Sequence, residues 1–260
     1  MTTNTIVTTQ DGAAFVIKLN RPERRNAFSI EMMREIAEAS RSVEKDDSVR
    51  AVIITGGQQY FSSGADLNEA MRIKSTRDCV DYMKHWDRLN DTIERLDKPV
   101  IAAIEGFCMT GGFEFVLACD IRVAGAGASF ALTSSKIGTV PGAGGTQRLP
   151  RLIGVGKALD ILFSADPIDA ENAFRAGIVE RLVPAGQALA QAKTMVRVYE
   201  KRAPLSVAYV KRAVRAGIQM DLASAIEFER FLVTAIYNTD DKNEGIGAFL
   251  EKREATFKGS

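Results

Sequence analysis

Short apolar runs alternate with longer amphipathic segments over much of this chain. Apolar residues recur at helical spacing over residues 30–44, behind Ser29 as a candidate N-cap, and over residues 76–96, ahead of Pro99. Short buried strands separated by such helices predict an α/β fold whose sheets are covered on at least one face. The apolar runs themselves predict β-strands at residues 14–19, 51–55, 100–104 and 121–124.

The pattern changes after about residue 193, where strand-like runs give way to consecutive helix-like segments. Pro204 and Gly217 punctuate this part of the chain. We therefore predict a core over residues 1–195 and a C-terminal helical region over residues 196–260. Within that region, helices are predicted at residues 195–201, 205–216 and 223–236.

Composition narrows the class of protein. The chain has 260 residues and a net charge of +1, with basic and acidic residues interspersed, which argues against a nucleic-acid partner. No apolar run approaches the roughly 20 residues that span a bilayer, and the first residues lack a secretory pattern, so we expect no membrane partner. Three cysteines without CxxC spacing and one histidine argue against a metal site. We therefore expect a cytoplasmic protein.

The segment around Gly111, Gly112 and Glu114 carries the most informative chemistry. It follows the strand predicted at residues 100–104 and opens a short apolar helix at residues 113–118. Glycines at a helix start leave backbone N–H groups open to an incoming oxygen, and a nearby carboxylate can move protons. The alternative is a glycine-rich turn whose glutamate faces water.

A second loop makes the catalytic interpretation stronger. Residues 61–67 follow the strand predicted at residues 51–55, and small residues around Gly64 let a ligand approach the backbone closely. Two loops of this kind can each supply one N–H to a single carbonyl oxygen. That arrangement is an oxyanion hole made of main chain.

Five segments, in their order along the chain, resemble motifs of the crotonase superfamily, also called the enoyl-CoA hydratase/isomerase family. The resemblance implies a spiral of strand–strand–helix turns and a site for a coenzyme A (CoA) thioester, with no permanently bound cofactor. It also implies that the helical tail packs in a homotrimer or homohexamer; the alternative is a tail that packs on its own core. The segments are residues 20–27, 61–66, 111–114, 141–149 and 249–253.

Residue by residue, the resemblance implies catalytic roles for four positions. Ala65 and Gly111 match the oxyanion positions, and Glu114 matches one of two glutamates that hydratases use. Ser134 stands where the second glutamate is expected, and no carboxylate occurs at residues 131–136. A serine cannot act as a carboxylate base, but it can position a water. Thr110 stands where many relatives have glycine.

The resemblance also assigns the CoA path, through the early loop, the first oxyanion loop and the last helix. For the charged members of this set, the alternative is an ordinary solvated charge. The expected CoA-binding residues are Arg24, Ala27, Ser63, Ala65, Leu67, Phe249 and Lys252.

Three functions remain open on sequence alone. The leading hypothesis is an enoyl-CoA hydratase that uses Glu114 as acid and base. An isomerase that shifts the double bond needs only one such base, so the missing second glutamate leaves it open. The third is a CoA-thioester-binding protein with weak activity.

Overall fold

The computed structural model describes residues 4–260, and its regular elements alternate along the chain. The strands are β1 (Ile6–Asp11), β2 (Ala14–Leu19), β3 (Ala51–Thr55), β4 (Tyr60–Ser62), β5 (Val100–Ile104), β6 (Phe107–Met109), β7 (Ile121–Gly125), β8 (Ser129–Ala131), β9 (Ile168–Asp169) and β10 (Arg181–Val183). The helices are α1 (Ile30–Ser42), α2 (Leu67–Ala70), α3 (Thr76–Arg95), α4 (Gly111–Ala118), α5 (Gly145–Ile153), α6 (Val155–Ser164), α7 (Ala170–Ala176), α8 (Ala188–Tyr199), α9 (Pro204–Gly217), α10 (Leu222–Ile236) and α11 (Asp240–Glu251).

The strands form two sheets that the chain visits in turn. A six-stranded sheet has the order β1-β2-β3-β5-β7-β10, and a four-stranded sheet has the order β4-β6-β8-β9. Each of β3, β5 and β7 is followed by a short strand of the second sheet, and then by helical structure. The pairs β2–β3, β3–β5, β5–β7, β4–β6 and β6–β8 are parallel. This is the expected repetition of strand–strand–helix turns.

The main core lies where the helices pack on the sheets. Its largest fully buried side chains include Phe28, Phe61, Phe113, Phe115 and Phe130. Residues at alternate positions of β3 and β5 point to opposite faces of the sheet. Both strands are nevertheless buried throughout, because both faces of the sheet are covered. This double burial explains why their sequences read as unbroken apolar runs rather than alternating ones.

Helix α8 covers the other face of the six-stranded sheet. Its Met195 and Val196 are buried in a second apolar cluster with residues of β3 and β5. The helix begins at Ala188, earlier than the predicted start at residue 195. The predicted boundary between residues 195 and 196 therefore falls inside this helix, and the division into two regions stays a prediction.

The other predicted elements agree with the structure to within a turn. Helix α3 is capped by Ser75 and Asp78, which satisfy each other's backbone N–H groups, and it ends just before the turn at Pro99. Helix α11 ends at Glu251, and Lys252 has left-handed backbone as its C-cap. Between residues 4 and 260, no helix is both long and apolar enough to cross a membrane.

Candidate active site

Helix α4 carries the site's carboxylate into the protein interior. Every residue of α4 is buried, and Glu114 is only 2% exposed. The apolar side chains of this short helix are buried because it lies between the four-stranded sheet and the helices α3 and α5. The alternative of a glutamate on the wet side of its helix is therefore wrong.

The Glu114 carboxylate is held by backbone rather than by a cation. Its Oε2 accepts hydrogen bonds from the N–H groups of Ala143 and Gly145, each at 2.8 Å. A Cβ added to Gly145 would lie 2.9 Å from Glu114 Cγ, so glycine is needed there for the carboxylate to fit. Both hydrogen bonds use the same oxygen, which leaves Oε1 as the oxygen available to a reacting group.

Burial dominates the protonation of this carboxyl group. It raises the pKa of Glu114 from 4.5 to about 7, although the two N–H bonds and the nearby Arg148 cation lower it. A carboxyl group with this pKa is present in both protonation states near neutral pH. It can therefore take a proton at one step and return it at the next.

The amides of Ala65 and Gly111 lie next to each other. A Cβ added to Gly111 would be 3.2 Å from the nitrogen of Ala65, and one added to Gly64 would be 3.2 Å from the nitrogen of Gly111. The Gly111 N–H is the first of helix α4, so it has no intrahelical partner.

The hydrogen bonds beside Ala65 set the direction of its N–H. Gly64 O accepts from Phe28 N at 2.7 Å, and Asp66 N donates to Phe28 O at 2.9 Å. In an extended segment, the intervening N–H of Ala65 points to the opposite side, away from Phe28. A carbonyl oxygen placed between Ala65 and Gly111 can accept from both amides.

Thr110 joins the start of α4 to the segment that holds Ser134. Its backbone has φ 45° and ψ −114°, a conformation that β-branched residues rarely adopt. Its hydroxyl lies 2.8 Å from that of Thr133, and its N–H donates to Ala131 O at 2.7 Å. Backbone strain of this kind persists only where neighbouring contacts fix it, as they do beside Gly111.

Ser134 is buried in a short 3-10 helix, Thr133–Ile137, with 2% of its surface exposed. Its carbonyl accepts the N–H of Thr139 at 3.1 Å. The position expected to hold the second glutamate therefore carries a buried hydroxyl group, next to the Thr110–Thr133 hydrogen bond. Its catalytic role stays a prediction.

The two loops expected to bind CoA are brought together. Ser63 N donates to Arg25 O at 3.0 Å, and Ser63 Oγ contacts Arg24 O at 3.4 Å. Arg21 forms an ion pair with Asp66 at 2.9 Å, which makes Asp66 a residue that stabilises the loop. Arg24 and Leu67 are exposed, Ser63 is half-buried and Ala27 is buried.

Phe249 and Lys252 lie at the other end of the chain, where α11 ends. Phe249 is 82% exposed and Lys252 is also exposed. The expectation placed both residues at the CoA of a neighbouring subunit, and that role stays a prediction.

Three side chains around the turn at residues 142–145, which binds Glu114, were not predicted from the sequence: those of Asn90, Glu94 and Arg148. Asn90 Nδ2 and Arg148 Nη1 both donate to the carbonyl of Ala143, at 2.9 and 3.0 Å, and Arg148 pairs with Glu94. The signal that could have pointed to Arg148 is its place in the segment at residues 141–149, which carried the family resemblance. For Asn90 the only signal is a polar residue on the buried face of α3, which is weak. Within residues 4–260, no group of three His, Cys, Asp or Glu side chains is placed to hold a metal ion.

Comparison with known proteins decides the family. A family model described as Enoyl-CoA hydratase/isomerase matches residues 9–260. The chain belongs to the enoyl-CoA hydratase/isomerase family. Its α/β fold is the crotonase fold of that family, as expected from the sequence.

Relatives of this family are similar over nearly the whole chain. The mitochondrial enoyl-CoA hydratase of Pongo abelii is 38% identical over 94% of this chain and 83% of its own. The short-chain-enoyl-CoA hydratase of Clostridium acetobutylicum is 35% identical over 98% of this chain and 97% of its own. The crystal structure of an enoyl-CoA hydratase from Bacillus anthracis, 34% identical, superimposes with a TM-score of 0.94 over 98% of this chain and all of its own.

Proposed function

We propose that this family member is an enoyl-CoA hydratase, which adds water across the double bond of a 2-enoyl-CoA thioester. The observation that carries the proposal is the buried Glu114 carboxyl group, with a pKa of about 7, on the same helix whose first N–H lies beside the Ala65 amide. The names of the relatives from Pongo abelii and Clostridium acetobutylicum support the same reaction.

The first half of the reaction uses the two amides. The thioester oxygen accepts hydrogen bonds from Ala65 and Gly111, which makes the β-carbon electrophilic. The ionised Glu114 takes a proton from water while the water oxygen bonds to that carbon. The electron pair of the double bond moves toward the carbonyl and gives an enolate, whose oxygen is stabilised by the same two N–H groups.

The second half returns the proton. Protonated Glu114 donates to the α-carbon, and the enolate collapses to the 3-hydroxyacyl thioester with Glu114 ionised again. Ser134 holds the attacking water through its hydroxyl group in place of a second carboxylate. CoA enters as part of the substrate, along Arg24, Ala27, Ser63 and Leu67, with no other cofactor required.

One observation keeps a second function in view. Residues 131–136 contain no carboxylate, so a single base serves the site. An isomerase needs only one base, which takes a proton from one carbon and returns it two carbons away. The two reactions differ in whether water is gained.

Products distinguish these functions directly. The protein is incubated with crotonyl-CoA and, separately, with a 3-enoyl-CoA. The products are separated by liquid chromatography, which resolves the 2-enoyl and 3-enoyl isomers, and are then identified by mass spectrometry. We expect crotonyl-CoA to gain the mass of one water. A 3-enoyl-CoA converted at unchanged mass, without hydration of crotonyl-CoA, would support the isomerase instead. Tight binding of butyryl-CoA without either reaction would indicate a thioester-binding protein.

The assembly proposed for the chain is a homotrimer or a pair of trimers. Its support is the exposed apolar side chains of the helical tail, among them Leu222 and Phe231, together with the exposed Phe249. Light scattering is expected to give the mass of three or six chains. A stable, active monomer would remove the basis for placing Phe249 and Lys252 at a neighbour's CoA.

Cytoplasmic location also stays a prediction, since relatives include bacterial and mitochondrial proteins.

Replacing Ser134 by glutamate tests how the missing carboxylate shapes the site. We expect the variant to hydrate crotonyl-CoA no faster than the natural protein, and to lose activity on its preferred acyl group. Two nearby carboxylates raise each other's pKa, and the larger side chain crowds a fully buried position. The measurement is kcat/KM for enoyl-CoA substrates of several chain lengths, with Ser134→Gln as the control for volume without charge.

The opposite result would identify a weakened hydratase. If Ser134→Glu increased crotonyl-CoA hydration and reduced activity on no other acyl group, the pocket would be suited to the usual pair of glutamates.

A further inference from the structure

The backbone of Ala143 is held on both sides, at its N–H and at its carbonyl. Its N–H donates to Glu114 Oε2 at 2.8 Å. Its carbonyl accepts Asn90 Nδ2 at 2.9 Å and Arg148 Nη1 at 3.0 Å. That carbonyl belongs to the peptide unit between Ala143 and Gly144, which joins the two peptide units whose N–H groups bind Glu114, those of Ala143 and Gly145. Side chains that fix this central unit therefore limit the rotation of both N–H donors that orient the carboxylate.

The turn around Ala143 needs such support. Ala143 lies between Gly142 and Gly144, and Gly144 has φ 103°. Glycines on both sides give the backbone wide conformational freedom, so the turn has little rigidity of its own. A Cβ on Gly144 would overlap Arg148 Nη1, so the guanidinium packs directly against this turn.

Arg148 is itself anchored from another helix. Its Nε and Nη2 donate to the two oxygens of Glu94, at 2.8 and 2.9 Å, in the bidentate geometry that fixes a guanidinium plane. Glu94 and Asn90 lie one turn apart on α3. This helix therefore positions both groups that contact the Ala143 carbonyl, Asn90 directly and Arg148 through Glu94. Glu94 also contacts Arg215 of α9 at 3.4 Å.

The charges around this turn are few and well defined. Arg148 is the cation that acts on Glu114, and it lowers the pKa of that carboxyl group against the larger effect of burial. Burial disfavours the Arg148 cation, but Glu94, Glu114 and Asp91 raise its pKa above the ordinary value. Asn90 is neutral, so it contributes position without charge.

We propose that Arg148 is a positioning residue for Glu114. Together with Asn90, Arg148 fixes the Ala143 carbonyl, and so the turn whose two N–H groups hold the Glu114 carboxylate. The proposal rests on the acid/base role of Glu114 given above. Charge and position are separable here, because Arg148 supplies both and Asn90 supplies position alone.

Kinetics of three variants test the proposal on the full-length protein with crotonyl-CoA. Arg148→Met is expected to lower kcat by about tenfold to hundredfold, as for a small displacement of a reacting group, with a much smaller change in KM. It is also expected to move the acidic limb of the kcat/KM profile to higher pH, since a cation near Glu114 is lost.

The other two variants separate the causes. Arg148→Lys keeps a cation but lacks the planar fork, so we expect the acidic limb to stay in place while kcat falls. Asn90→Leu is expected to lower kcat without moving that limb. Arg151→Met is the matched control on the same helix, because Arg151 bonds only to Gln147 among the described residues, and it should retain natural kinetics.

Several results would overturn the proposal. An unchanged kcat in Arg148→Met would contradict the proposal. So would a lower kcat that returns to normal at a lower temperature together with the stability of the variant, because Arg148 would then have only a structural role. If Arg148→Met does not fold, unchanged kcat in both Arg148→Lys and Asn90→Leu would have the same meaning. Normal turnover by Glu114→Gln would instead overturn the proposed function itself, so the two failures are distinguishable.

Discussion

Replacing Glu114 by glutamine is expected to lower turnover of crotonyl-CoA by about two orders of magnitude or more, as for loss of a general base. A glutamine carbonyl can still accept the N–H groups of Ala143 and Gly145, so the fold and CoA binding should be preserved. The lost function is proton transfer alone. The measurements are kcat for hydration and the affinity for butyryl-CoA.

Glu105 provides a matched control for this substitution. It is also a buried glutamate, 5% exposed, and its Oε1 accepts a backbone N–H, that of Ala188 at the start of α8. Glu105→Gln should retain natural turnover, because this carboxylate caps α8 rather than facing the two amides. Natural turnover in Glu114→Gln would remove the proton-transfer role from Glu114.

The pH dependence of the natural protein and of Glu114→Gln gives a second test. If ionised Glu114 is the base, kcat/KM of the natural protein should rise with pH through about 7. Folding stability should change in the opposite direction. With a pKa of 4.5 in the unfolded chain and about 7 in the folded one, the folded state binds more protons between these values.

Stability therefore falls as pH rises through that window, by about 3 kcal/mol when Glu114 is fully ionised. Glu114→Gln removes this loss. Urea unfolding at about pH 5 and about pH 8 should show the variant gaining stability relative to the natural protein at the higher pH. An equal difference at both pH values would mean that Glu114 titrates at its ordinary pKa.

Replacing Gly111 by alanine is expected to lower turnover by about two to three orders of magnitude, a loss of the size seen when an oxyanion donor is removed, because the methyl group would keep the thioester oxygen away from the two amides. The new methyl group would lie 3.2 Å from the Ala65 nitrogen, so it would crowd the position proposed for the thioester oxygen between the two amides. It would also lie 2.8 Å from Trp86 Cη2, so it can move away only by displacing a buried ring.

A helix effect would act in the other direction. Alanine is a better helix former than glycine by about 1 kcal/mol, so a loss of activity cannot be attributed to weaker helix propensity. Gly247→Ala in α11 is the control, because among residues 4–260 the added Cβ would meet no atom within 4 Å outside its own stretch of helix backbone. Natural turnover in Gly111→Ala, with the fold retained by circular dichroism, would mean that the thioester oxygen binds elsewhere.

Four of the six strands of the large sheet, β2, β3, β5 and β7, could be predicted because their signal is local, whereas β1 and β10 were not predicted. The runs at residues 51–55 and 100–104 are apolar at every position, and the structure buries every one of those residues. Helix α4 and the two loops before Ala65 and Gly111 were also readable, since glycines beside a strand end carry a local meaning. The start of α8 at Ala188 was missed because its alanines carry little amphipathic contrast.

By itself, the sequence determined the α/β class, the family through its ordered motifs, and Glu114 as the candidate acid and base. Only the tertiary structure decided how Glu114 is held. Its N–H donors lie 29 and 31 residues away, and Asn90 lies 53 residues from the Ala143 carbonyl that it contacts. Periodicity reports which face of an element is buried, but it contains no information on which distant backbone group meets a side chain. The pKa of about 7 follows from that burial and those partners together, so it appears only once the chain is folded.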